Sequence, residues 1–418
     1  MKVRTERNQV EILAPAGSME SLMAALQAGA DAVYFGVEHL NMRSRSSNRF
    51  VLDDLPEIIE NCRAYDAKAY LTLNAVLYDQ DLNLMRNICD RAKEAGVDAI
   101  IASDQAAMGY CHRIGMPVHI STQVNVSNIE SVRFYSMFSD VMVLARELSL
   151  KQVEEIATQI EKQEIKGPSG KLVRLEVFVH GALCMAISGK CYLSLHSHNA
   201  SANRGACFQN CRRKYHVKDA ENGDEWMIED EYIMSPKDLC TIDFLDKVLD
   251  SGVKVLKIEG RGRAPDYVHT VTRCYREAVE AYFDGTYDQE KVAAWKEQLA
   301  KVYNRGFWDG YYLGRKLGEW TKDPNSQATQ KKVYIGKGVK YFDRIGVAEF
   351  KMESYDLKPG DEILITGKKT GVVESVVQEL RVDGKPADSA KRGDSITIPL
   401  GKKIHSSDKL YKLVKTAE

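Results

Sequence analysis

The 418-residue chain has no run of 18 apolar residues, and its start, MKVRTERNQVEILAPAG, lacks an apolar stretch of secretory length. That reads as a protein with no membrane span or export signal, and so a cytoplasmic one. It has almost no net charge, -1 at pH 7, so no global field draws it to nucleic acid or anionic lipid, and any such partner must meet a local patch. The turn after the first apolar run, APAGSMES, lacks the G-x-G-x-x-G spacing of a dinucleotide fold. There is no H-E-x-x-H and no G-x-S-x-G, so neither a zinc protease helix nor a nucleophile elbow is written in the chain. The cysteines do not form the C-x2-C pairs of most zinc ribbons.

What is present begins with alternation. Short Val- and Ile-rich runs at 10–17, 31–36, 68–75, 98–104, 117–123, 140–147, 174–181 and 253–261 are separated by amphipathic stretches, the pattern of parallel strands joined by helices. Ser149 is placed to cap a helix over LSLKQVEEIATQIEK, and another helix is expected over DLCTIDFLDKVLDSG. Eight units closed by APDYVHTVTRCYREAVEAYFDG fit an α/β fold of the TIM-type (β/α)8 barrel class, with a doubly wound sheet as the runner-up. Beyond residue 285 the pattern changes to short strands with turn signals PGD, RVDG and KRGD, which predict a small C-terminal all-β barrel. The expected organisation is a barrel over 1–315 carrying a cysteine-rich insertion at 182–240, a linker at 316–331 and the β domain at 332–418. Residues 331–418 hold 18 Lys+Arg against 13 Asp+Glu, a local +5. That surface is either a solvated lysine-rich face or a nucleic-acid contact.

In a TIM-type barrel the chemistry sits where the strands end. The strand register brings Asn74, Asp104, Ser121, Gln123, Asn125, Arg146, Glu147, His180, Glu259 and Arg261 there, with Arg43 and Arg45 in the following loop NMRSRSSNRF. Pairing of Arg146 with Glu259 is the plain structural alternative. Convergent arginines suit an anionic substrate because guanidinium holds carboxylate or phosphate bidentately. Arg43, Arg45, Arg146 and Arg261 are therefore candidates for anion binding, Asn74, Gln123 and Asn125 for substrate hydrogen bonds, and Glu147, Glu259 and His180 for proton transfer.

Four of the nine cysteines lie between 184 and 211, spaced Cys184-x6-Cys191-x15-Cys207-x3-Cys211, with Cys240 further on in MSPKDLC. Cytoplasmic thiols stay reduced, so such clustering points to a metal or iron–sulfur site rather than disulfides. Zinc is the alternative occupant, and His196 and His198 rank below the cysteines as ligands. Cys62, Cys89, Cys111 and Cys274 fall in helical patterns and read as small buried hydrophobes.

The ordered set EILAPAGSMESLMAALQAGADAVYFG, STQVNVSN, LARELSL, EVFVHGALCMAISGKCYLS, RGACFQNCRRKY and MSPKDLC resembles the collagenase-like U32 peptidase family, from about residue 10 to the C-terminus. The terminal β module resembles that family's C-terminal domain and, more distantly, the second domain of translation elongation factors. The family takes its name from a collagenase activity, yet members include RNA and quinone hydroxylation proteins carrying 4Fe-4S clusters. Longer members are similar to the tRNA hydroxylation proteins that make 5-hydroxyuridine at the wobble position and depend on prephenate. What the resemblance implies here is Cys184, Cys191, Cys207 and Cys240 as cluster ligands, leaving Cys211 as the dispensable thiol, and either proteolysis or RNA hydroxylation; the missing protease motifs, the clustered thiols and the convergent arginines favour a tRNA-modifying hydroxylase. The resemblance also implies tRNA, a small dicarboxylate such as prephenate, and a family paralogue as partners. A peptidase and a zinc-containing RNA-binding protein without chemistry are the alternatives.

Overall fold

The structure, a computed structural model, describes residues 5–44, 50–213, 215–218, 220–221, 223, 225–227, 234–314, 318–321 and 325–416. The eight apolar runs become eight parallel strands: β1 (Glu11–Pro15), β2 (Ala32–Phe35), β3 (Lys68–Leu73), β4 (Ala99–Ala102), β5 (Val118–Ile120), β6 (Val141–Val143), β7 (Arg174–Gly181) and β8 (Val255–Ile258). Each pairs with its chain neighbour, and β8 pairs with both β7 and β1, which closes a TIM-type barrel. The strands are buried almost throughout because helices cover the outside and side chains fill the inside. Those helices are α1 (Met19–Gln27), α2 (Leu55–Ala64), α3 (Leu82–Ala95), α4 (Gln105–Ile114), α5 (Ile129–Tyr135), α6 (Leu150–Lys162), α7 (Leu245–Asp250) and α8 (Pro265–Phe283). Ser149 does cap α6: its hydroxyl accepts from the Gln152 amide while the Gln152 side chain accepts from Ser149 N–H.

One expectation needs correction. Asp238–Cys240 is a short strand, antiparallel to β7 with Leu239 opposite Gly181 and Cys240 opposite His180, and the helix expected from residue 238 starts only at Leu245. The free edge left where β7 outruns β6, whose pairing stops at Glu176, recruits this segment. Within the expected 1–315 span, α8 is followed by α9 (Gln289–Lys301) and by a strand Phe307–Trp308 that pairs with Asp238–Leu239.

The interior of the barrel carries charge as well as Leu13, Tyr34, Tyr70 and Ile101. Lys257 Nζ donates to Glu176 Oε1 at 2.6 Å, both groups nearly inaccessible. At the opposite end Glu11 accepts from Lys68 at 3.0 Å, Arg174 at 3.1 Å and the Tyr70 hydroxyl at 2.8 Å. A register shift between Lys257 and Ile258 against β7 makes Val179 an extra residue, so Lys257 faces Phe178 but Ile258 faces His180. Such a bulge reverses the alternation beyond it, and it turns His180 out of the barrel toward α8.

From Gln330 to Lys415 the chain forms an eight-stranded antiparallel sheet around its own core, with Ile335, Phe350, Ile363, Ile396 and Leu410 wholly buried. Leu364 and Val372 of this β module pack on Ala24 of α1. Gln27 fixes the contact by donating to Thr370 O at 2.8 Å and accepting from Val372 N–H at 3.1 Å.

Candidate functional site at the barrel mouth

The loops after β2, β3, β5, β6 and β8 converge with the segment after β7. Asn74 Nδ2 donates to Ser121 Oγ at 3.2 Å and Gln123 Oε1 at 3.3 Å, while its carbonyl accepts from Met42 N–H at 3.3 Å. Asn125 holds the left-handed conformation that closes the turn Thr122–Val124 and donates to Ser188 O at 3.0 Å. The cysteine insertion is thereby laid across the mouth. Gly189 and Gly205, both at positive φ, are where it presses closest: a Cβ at Gly189 would stand 2.7 Å from Gln123 Cβ, and one at Gly205 would stand 2.4 Å from Asn41 O.

The ion pair at the rim is not the expected one. Arg43 Nη2, not Arg146, donates to Glu259 Oε1 at 3.0 Å. Burial alone would raise the Glu259 carboxyl, but Arg43, then Arg263 and Arg146, outweigh it and hold the group below the usual range, so it is ionised at neutral pH. Arg146 lies over the Phe178 ring with 3.8 Å from guanidinium carbon to centroid and donates to Ala182 O at 3.1 Å, while its buried Nε has no partner among the described residues. Arg261 donates to the neutral oxygens of Asn41, at 3.2 Å, and Thr72, at 2.6 Å. Burial pushes it down to about 10, with Arg43 adding to the fall and Tyr34 and Glu259 opposing it. Among the described residues, Arg146 and Arg261 make no ion pair with a carboxylate. Lys257 forms the floor between them, 4.6 Å from the Tyr34 centroid and 5.5 Å from that of Phe178.

Three other expectations fare differently. His180, buried and 3.5 Å from the Tyr275 hydroxyl through Nδ1, sits among Tyr267, Tyr275 and Phe307. Burial, with Arg263 adding to it, drives its pKa down to about 3, so it is a neutral packing group set off from the mouth. Glu147 is exposed in the turn after β6. Asp104 is spent on structure, capping α4 through Ala106 N–H at 2.9 Å and accepting from Leu77 N–H at 3.1 Å. Arg45 lies outside the described residues. Sequence reasoning missed Lys257, Glu176, Tyr34 and Phe178; the lysine inside the otherwise apolar strand VLKI was the available signal.

All nine cysteines are free thiols. Of the thiols expected as ligands, Cys240 lies apart from the other three. Cys240 lies in the main core, receives a hydrogen bond from the Ile242 amide, contacts the Tyr275 hydroxyl, and is pushed by burial up to about 12. Cys211 instead lies within electrostatic reach of Cys184, Cys207 and Cys191; burial first, and then these thiols, raise its pKa while Arg212 opposes. Arg212 is itself tied down, donating to Ser235 Oγ, Pro236 O and Leu183 O at 2.7 Å each, so it is not a free phosphate contact. Among the described residues no three Cys, His, Asp or Glu side chains are already gathered around a metal position. In number, reduction state and proximity, the four thiols of the insertion nonetheless fit a thiolate-held centre.

A sequence profile described as Peptidase family U32 matches residues 17–322, most of the chain. The chain belongs to this family. Within the U32 family, its relatives carry two kinds of name. A Porphyromonas gingivalis protein named "Collagenase" is 59% identical over 98% of this chain and 99% of its own. "tRNA hydroxylation protein P1" of Bacillus subtilis is 31% identical over 96% of this chain and 94% of its own. "tRNA hydroxylation protein P" of Helicobacter pylori is 36% identical over 74% and 72%. No helix among the described residues is long and apolar enough to cross a membrane.

Proposed function

We propose that this U32 protein is an RNA-hydroxylating enzyme acting on tRNA, forming 5-hydroxyuridine at the wobble position with a 4Fe-4S cluster and a small dicarboxylate such as prephenate. The observation that carries the reading is the pair of shielded arginines, Arg146 and Arg261, without carboxylate partners at the mouth. Partly buried cations without a contacting carboxylate favour an anionic ligand. Two guanidiniums held apart across the Phe178 and Tyr34 rings suit a ligand with two acid groups. Asn74, Gln123 and Asn125 add neutral donors and acceptors of the kind that read a carbonyl or a base edge. Glu259, kept ionised beside Arg43, can accept a proton; His180 and Glu147 drop out of that role. Cys184, Cys191, Cys207 and Cys211 would hold the cluster, which supplies one-electron redox capacity when bound.

The 59% identical relative named for collagen cleavage keeps proteolysis as the second reading. Its best structural support is a Ser–His contact, Ser197 Oγ to His198 Nδ1 at 2.7 Å. That hydroxyl also lies 2.6 Å from Leu193 O, the ordinary helical back-bond, and the same Nδ1 lies 3.5 Å from the Asn210 amide. A nucleophile needs a base free to take its proton and a third group that orients the base; this arrangement supplies neither. Nucleoside analysis of tRNA from a strain lacking the gene and its paralogues tests the proposal, with loss of 5-hydroxyuridine derivatives expected. Unchanged nucleosides together with lost gelatin cleavage would replace it with the peptidase.

A further inference from the structure

The cysteine insertion exposes rings where a metal-binding loop has no need of them. Tyr192 is 59% exposed and Phe208 42%, and Tyr78, on the neighbouring rim, is 53%. Two of these rings are backed on one side by a planar group. The His198 imidazole stacks on Phe208 with centroids 4.7 Å apart and planes 10° from parallel. The Arg204 guanidinium lies 4.0 Å from the Tyr78 centroid and is fixed there by Asp81, at 2.7 Å, and Val76 O, at 2.8 Å. Each ring is thus held in orientation at little further entropic cost while much of it stays open. The charge is one-sided as well. Residues 181–213 contain no Asp or Glu, whereas Lys190, Arg204, Arg212 and Arg213 are cationic; Lys190 and Arg213 are exposed. Two acids stand beside Tyr78: Asp79 is exposed, and Asp81 is neutralised by Arg204, the guanidinium holding its carboxyl below the usual range against slight burial.

We infer that this face is a stacking platform for single-stranded RNA, with Tyr78, Tyr192 and Phe208 receiving unstacked bases and Lys190 and Arg213 facing the phosphates. Exposed aromatic faces interleaved with cations and free of carboxylates are what sequence-tolerant binding of a single strand requires. A protein partner would gain from the apolar rings, but the cations of the insertion have no acid among residues 181–213 and so suit a polyanion. The insertion touches Gln123, Asn41 and Asn125 at the mouth, so a strand lying on the platform has a neighbouring base within reach of the amide groups there. The inference deepens the hydroxylation reading by naming the surface that holds the RNA.

The test uses full-length protein purified without oxygen and a fluorescent hairpin RNA with an anticodon-sized loop, with the paired duplex as competitor, across a salt series. Replacing Tyr78, Tyr192 and Phe208 together by Ala should weaken hairpin binding at least tenfold at every salt concentration, with metal content and circular dichroism unchanged. Phe208→Trp should retain binding. Lys190→Ala with Arg213→Ala should flatten the salt dependence. Wild-type affinity in the triple variant overturns the platform, as does a wild type that prefers duplex or binds no RNA. A shift in oligomeric state with RNA binding intact would make the face a protein interface and also overturns it. Because these are binding measurements, they are independent of the nucleoside analysis: tRNA hydroxylation can fail with the platform intact, and the reverse.

Discussion

The buried pair beneath the mouth gives a sharp quantitative test. Glu176 is inaccessible, Lys257 nearly so, and their contact is 2.6 Å. At an effective dielectric of about 20 the attraction is roughly 6 kcal/mol gross. Desolvation consumes much of that: Glu176 still sits above its usual pKa because burial exceeds the pull of Lys257, and Lys257 sits below its own for the matching reason. The pair is therefore a small net contributor, yet removing one partner strands the other. Lys257→Met should cost about 3–5 kcal/mol, and at roughly 2 °C per kcal/mol for a unit this large the melting temperature should fall by about 6–10 °C. Lys257→Met with Glu176→Met should recover most of the loss. The signs with pH are opposite for the two single variants. In Lys257→Met the lone carboxylate has a raised folded pKa, so stability returns as pH falls from 8 toward 5 and the carboxyl protonates. In Glu176→Gln the lone ammonium has a lowered folded pKa, so stability returns as pH rises above 8. Thermal melts over pH 5–9 read both slopes. A Lys257→Met loss below about 1 kcal/mol, or two slopes of the same sign, would refute a desolvated pair at this position.

Three further outcomes follow from the site. Cys211→Ser should lower anaerobically measured iron as much as Cys184→Ser does, whereas Cys240→Ser should keep iron and lose only core stability; the reverse pattern would restore Cys240 to the ligand set. Arg261→Met should weaken binding of a dicarboxylate ligand by about tenfold or more in calorimetry, given a net value of about 1.5–3 kcal/mol for a charged hydrogen bond; unchanged affinity would remove Arg261 from the anion site. His180, with a folded pKa of about 3 against an unfolded value near 6.5, should cost about 1.4 kcal/mol of stability per pH unit as pH falls below 6, since the unfolded chain takes the proton. Urea unfolding of His180→Phe at pH 6 and 4.5 should show that slope removed, and an unchanged slope would mean the ring is wetter than its aromatic box implies.

How much of this the sequence disclosed depends on the range of the interaction responsible. The eight strands were legible because burial on both sides of a parallel sheet writes continuous Val and Ile runs, and Ser149 was legible because capping is local. Asp238–Cys240 was misread because DLCTIDFLDKVLDSG has helical periodicity throughout; the edge that takes its first three residues belongs to β7, more than fifty residues earlier. His180 was misread for a related reason. Alternation from Glu176 and Phe178 assigns it to the interior, and only the bulge opposite Lys257 and Ile258, a pairing between two distant strands, turns it outward.

The same bulge explains why the insertion can occupy the mouth. Turning His180 outward lets Gly181, at φ 105°, swing the chain off the barrel beside the Glu259 carbonyl, where a Cβ would come within 2.5 Å of that oxygen. The segment then crosses the strand ends, with Asn125, Gln123 and Asn41 as its supports, and returns along β7 as Asp238–Leu239–Cys240. Outgoing and returning arms are thus anchored to one strand, and the four thiols and the exposed rings lie in the span between them. Cys240 belongs to the returning anchor and Cys211 to the span. That division, set by backbone pairing and by no property of the thiols themselves, is why MSPKDLC resembles a ligand motif in the sequence while its sulfur packs against Tyr275 in the fold.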